Sequence, residues 1–203
     1  DLSEVIDATS FDELRLSSEA CEQVRLCWAA FLGNFATPEE AGDALFTAIF
    51  ESAPTLQSLF TTPKAVQSMR FVHELDSFVA TLNKPKALKN IAESLAFRHL
   101  NLDVTVPRAM IFRDAILDLI EAELGDRFTT EARRGFTILL GWMAGANIYV
   151  KASFGDRLRL LQESWRKVNK TQTVAEKDAD REAVQDIEGG EDADGLPKRD
   201  AGR

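Results

Sequence analysis

Apolar residues recur along this chain at the three- and four-residue spacing of helices, and no stretch sustains the alternation of a half-buried strand. Punctuation residues divide the pattern. Ser18 caps a helix from about Glu19 to Leu32, which stops at Gly33. Thr37-Pro38-Glu39-Glu40 starts a second, with a cap, Pro in the first turn and acids at the positive end of the helix dipole; it runs to about Ser52. Pro54 opens a short turn ending near Phe60. Thr62-Pro63 opens a helix to about Leu82, and Pro85 opens one that ends just past His99. Pro107 begins a long helix to Leu124, stopped by Gly125. Thr129 or Thr130 caps the last long helix, which reaches Val150 or beyond, and Leu158, Leu161 and Trp165 mark a further amphipathic piece.

The ends read differently. Residues 1–17 form an N-terminal extension with a short helix expected near Phe11–Leu16. From Thr171 to Arg203 there is no aromatic residue and little periodicity, and from Val174 onward ten acidic residues face five basic ones. Such a segment buries too little apolar surface to offset its ordering entropy, so a disordered acidic tail is expected. The division is thus an extension (1–17), an all-α domain (18–154), a C-terminal helix (155–170) and a tail (171–203).

Charge and composition narrow the function classes. With 24 Lys plus Arg against 33 Asp plus Glu, the net charge is −9. That is not the footprint of a nucleic-acid binder, nor of a protein drawn to an anionic membrane surface. No apolar run approaches the roughly 18 residues of a membrane span, and Asp1-Leu2-Ser3-Glu4-Val5 does not start a signal peptide, so a cytoplasmic protein is expected. Two Cys and two His exclude a zinc or iron–sulfur site built from several such ligands. Cys21 and Cys27 lie about 9 Å apart along one helix axis, too far for an easy disulfide, and read as reduced thiols.

The two histidines differ. Leu88, Ile91, Leu95 and His99 share one helix face, so His99 ends an apolar stripe. An imidazole there either hydrogen-bonds within the core or serves as an axial ligand to a metal, most naturally a haem iron, which needs only one protein ligand. On the preceding helix the inward stripe is Phe71, Leu75, Phe78 and Leu82, and Gln67 extends it by a turn with a polar amide. His73 lies about 200° around from Phe71 and faces away.

These residues carry a resemblance. QSMRFVHELDSFVATLNKPKALKNIAESLAFRH, from Gln67 to His99, is similar to the E and F helices of cytoglobin-like members of the globin family. HLNLDV and LGDRFTTEARRGF are similar to neuroglobin-like members. IFESAPTLQSLF resembles the B-to-C junction, and Trp28 matches the Trp of the A helix. The resemblance spans about Ser18 to Phe154. It implies a globin fold, a 3-on-3 helical sandwich, around haem b. His99 would be the proximal iron ligand, with Leu95 packing beneath the porphyrin and Phe60 wedged against its face. Gln67 would take the distal place, its amide able to donate to bound dioxygen. Phe46 and Phe71 match further distal positions, Arg70 the residue that reaches a propionate, and Val104 the wall after the proximal helix. Phe112 and Met143 are further candidates for that wall. Phe46, Phe71 and Phe112 also suit an ordinary core.

Three departures stand out. Only seven positions separate Phe60 from Gln67, so the CD loop and D helix are missing; a rotated E helix would bring His73 toward the iron. Phe71 replaces a smaller aliphatic residue, and Phe46 stands where flavohaemoglobins carry a distal Tyr. The expected function is reversible binding of oxygen, CO or NO by a monomer or weak homodimer. Nitric-oxide dioxygenation is a conceivable enzyme activity on the same haem and would need an external reductase. A gas sensor signalling through the C-terminal helix, or a haem-free globin-fold interaction protein, are the alternatives.

Overall fold

The computed structural model describes the backbone of residues 5–59 and 64–188 and the side chains of 5–57 and 65–169. Six α-helices occur among the described residues: α1 (Ser18–Leu32), α2 (Pro38–Ser52), α3 (Lys64–Thr81), α4 (Pro85–Arg98), α5 (Val106–Leu124) and α6 (Thr130–Glu188). Short 3₁₀ helices cover Pro54–Leu59 and Gly125–Arg127. With Leu59 and Lys64 so close in sequence, no segment of D-helix length lies between them.

The helix ends follow the capping chemistry of the sequence, with one shift. Ser17 rather than Ser18 caps α1, its hydroxyl accepting from the Ala20 N–H at 3.1 Å. Thr37 caps α2 by accepting from the Glu40 N–H at 3.2 Å, while the Glu40 carboxylate accepts from the Ala36 N–H at 3.0 Å, so side chains satisfy both donors. Thr129 accepts from the Ala132 N–H at the start of α6. Gly125 ends α5 at φ 53°, a backbone conformation that disfavours other residues.

One expectation is corrected. The helix foreseen near Phe11–Leu16 is absent, and residues 11–17 run as irregular backbone to the α1 cap. Their polar groups are satisfied elsewhere: the Trp142 indole N–H donates to the Asp12 carbonyl at 2.9 Å. The Ser10 and Thr9 hydroxyls donate to Asp7 and hold its carboxyl at about 2. The segment is anchored by apolar burial. Ile6 is buried, the Phe11 ring lies 5.5 Å from Trp142, and Lys89 of α4 sits 5.0 Å above Phe11. Gly145 permits the approach, since a Cβ there would overlap the Asp7 carbonyl oxygen.

On the C-terminal side the division expected after 154 falls beside the boundary between two compact units. Helical backbone is continuous from Thr130 to Glu188, without a break at 154 and beyond the expected stop at 170. No proline interrupts it, and Ala175, Glu176, Lys177, Ala179, Arg181, Glu182, Ala183 and Gln185 favour helix without needing a core. The remainder of the expected disordered tail, 189–203, lies outside the described residues. Two compact units divide the chain, residues 1–155 and 156–203.

The core lies in the first unit. α2 packs on α3 and α5, and α1 packs on the same two helices. Trp28 of α1 joins the helices: its ring stacks 5.6 Å from Phe31, reaches Phe136 of α6 at 6.5 Å, and its indole N–H donates to Asp76 of α3 at 3.1 Å. Arg25 donates to the Val79 and Ala80 carbonyls, placing a cation at the negative end of α3. Cys21 and Cys27 are buried and free, as expected. No helix among the described residues is long and apolar enough to cross a membrane.

Candidate functional site

The α2–α3 crossing sets one wall of the site. At Gly42 the backbones meet so closely that a Cβ would lie 2.5 Å from the Ser68 carbonyl oxygen. Ser68 is buried at this contact and its hydroxyl donates to Asp43 at 2.6 Å, pinning the register of α3. One residue earlier, half-buried Gln67 faces a cavity of about 540 Å³, a size suited to a small organic cofactor. Phe46 and Phe71 share this wall with rings 5.3 Å apart. Phe112 of α5 meets Phe71 edge to face at 5.6 Å, which closes the aromatic side. Arg70 lies at the same cavity, exposed, and makes no ion pair among the described residues.

His99 stands on the cavity wall formed by the end of α4, one turn after buried Leu95. Its backbone N–H donates to the Leu95 and Ala96 carbonyls, each at 3.1 Å, so the residue closes the helix as its C-cap. The chain beyond it is tied down: the Leu102 N–H donates to the His99 carbonyl at 2.9 Å, and Lys151 of α6 donates to the Leu102 carbonyl at 2.6 Å. Burial pushes the imidazole below its usual pKa, with Glu74 and Asn147 opposing, and so favours the neutral ring that ligates metals. Val104 and Met143 line the same cavity.

Nine of the ten residues singled out from sequence therefore meet at one cavity: His99, Gln67, Arg70, Phe71 and Leu95, together with Val104, Phe46, Phe112 and Met143. The tenth, Phe60, lies outside the described residues. His73 is exposed and is not part of the cavity wall. Sequence reasoning missed the polar residues around the opening. Arg98 pairs with Glu74 at 2.8 Å, and Arg108 with Asp103 at 2.6 Å. It also missed Asn147, although a four-residue step from Met143 along α6 marks the same helix face.

Among the described residues no group of three or more His, Cys, Asp or Glu side chains is placed to hold a metal ion. A metal at His99 would take its other ligands from a cofactor. The lining suits such a group: a largely apolar cavity with three Phe rings, a single imidazole, the Gln67 amide and the Arg70 guanidinium, which makes no ion pair among the described residues.

Comparison with known families gives the class directly. The family model described as Globin matches residues 43–146, just over half of the chain and most of the helices around the cavity. The chain belongs to the globin family, and its all-helical architecture is the globin fold. No match is found among curated proteins.

Proposed function

We propose that this globin binds haem b in the cavity below the α2–α3 crossing and reversibly takes up oxygen or another diatomic gas, with His99 as the iron ligand. The observation that supports the reading is the placement of His99: a half-buried imidazole, disfavoured as a cation, lines the same largely apolar cavity of about 540 Å³ as Gln67. When bound, the haem would supply a ferrous iron with an open coordination position for the gas.

The residues have separable tasks. Leu95 and Val104 would hold the group beside His99, while Phe46, Phe71 and Phe112 would keep water out of the cavity. Gln67 offers an amide donor to a polarised ligand atom. Arg70 suits a propionate best, because Arg98 and Arg108 are already engaged with carboxylates. A cytoplasmic setting with a separate reductase completes the reading.

An optical spectrum of the purified protein tests it. A Soret band is expected in the wild type and should be lost in His99→Ala. A full band in that variant would falsify the ligand assignment, and a wild type that takes up no haem would leave the haem-free interaction role instead.

A further inference from the structure

One polar atom of the cavity wall is unfinished. Asn147 projects from α6, and its amide Nδ2–H donates to the Met143 carbonyl at 2.8 Å. This bond identifies the nitrogen branch of the amide and fixes its plane, so the oxygen branch points the other way. That oxygen, Oδ1, is buried and has no hydrogen-bond partner, the one such side-chain atom among the described residues. An unpaired buried amide oxygen is costly, so its retention calls for a donor that arrives with function.

The donors on the cavity wall besides His99 are Gln67 and Arg70 of α3, Asn101, Arg98 and Arg108. Arg98 and Arg108 are committed to Glu74 and Asp103. His99 shares the cavity wall with Asn147. A neutral imidazole carries one N–H; when the other nitrogen ligates a metal, that N–H needs an acceptor. The carbonyls one turn back, of Leu95 and Ala96, share the His99 backbone N–H and keep a lone pair each, so they compete with Asn147 for the ring N–H, but only the Asn147 oxygen is otherwise without a donor.

We propose that Asn147 is a positioning residue for His99: its Oδ1 accepts the imidazole N–H that faces away from the iron, fixing the tautomer and the ring orientation. The proposal rests on His99 being the haem ligand. An acceptor at that N–H makes the imidazole a stronger donor to the metal, and an amide does this more gently than a carboxylate.

Resonance Raman spectra of the ferrous haem-loaded protein test the idea through the iron–histidine stretch, with haem transfer to an excess of an apo-globin acceptor as a second readout. Asn147→Leu and Asn147→Asp both lose the Nδ2 bond to Met143, but only Asp keeps an oxygen in place. The stretch should fall in Asn147→Leu, with haem loss about tenfold faster. In Asn147→Asp it should stay at or above the wild-type frequency. An unchanged frequency in the Leu variant overturns the proposal. A frequency below wild type in the Asp variant also overturns it, and that near-isosteric variant decides the matter even if the Leu variant does not fold. Failure of the haem reading is a separate result: the wild type itself would then show no iron–histidine band.

Discussion

At the scale of single residues, the proposed haem site sets His99, at the end of α4, beside Gln67 of α3 in one cavity lining. Gln67 is the amide on the α3 wall, surrounded by Phe46 and Phe71. A neutral hydrogen bond is worth about 0.5–1.5 kcal/mol. Gln67→Leu should therefore speed oxygen release roughly two- to tenfold, measured by stopped-flow displacement, and an unchanged off-rate would remove Gln67 from the donor role. The cysteines give a contrasting expectation. Burial pushes the Cys21 and Cys27 thiols up, and both are shielded in the core. Neither should react with a thiol reagent at about pH 8 until the protein is denatured, since the thiolate is the reactive form. Rapid native labelling of either would contradict the packing described above. Residue chemistry was the most legible layer of the sequence, because a His and a Gln on apolar helix faces are conspicuous. Asn147 was not: an amide four residues after Met143 gains its meaning only when α4 is brought beside α6.

At the scale of elements, caps and glycines decide where helices sit. Thr37, Pro85 and Gly125 were readable because each acts locally on its own chain end. The Phe11–Leu16 segment was misread for the opposite reason. Its apolar residues have helical spacing, but the Trp142 indole and the anchoring of Phe11 hold it as irregular backbone, and those partners are more than a hundred residues away. Gly42 is equally invisible from sequence. Its role depends on Ser68 of another helix, where an added methyl meets backbone rather than a flexible side chain. Gly42→Ala should cost about 1–3 kcal/mol through overpacking, lowering the melting temperature by several degrees, and should disturb ligand release through the neighbouring Gln67. Gly155→Ala is the control. Its Cβ would meet only Lys151 Cγ at 3.7 Å within α6, so the substitution should be neutral or stabilising by up to about 1 kcal/mol. Thermal melts of the two variants separate close helix crossing from helix propensity; equal effects would reject the crossing argument.

At the scale of the whole molecule, every described residue of the cavity belongs to the unit spanning residues 1–155. The surplus length divides into two unlike parts. The N-terminal segment is integral to that unit through Ile6, Phe11 and the bond from Trp142. In the α6 segment beyond Gly155, Leu158 is half-buried but Leu160 is 62% exposed and Trp165 66%. Removing a segment that buries so little should cost the first unit almost nothing, whereas removing residues 1–16 would uncover Trp142 and the groove that receives Phe11. A chain ending at Gly155 should therefore keep its Soret maximum, its oxygen off-rate and a melting temperature within about 2 °C of the full chain, the range expected of surface changes. A chain starting at Ser17 should melt lower by a clearly larger margin, because Ile6 and the Phe11 contacts are lost together. If the C-terminal truncation instead changes the off-rate, α6 beyond Gly155 communicates with the cavity, and the sensor reading of this globin would displace simple gas binding.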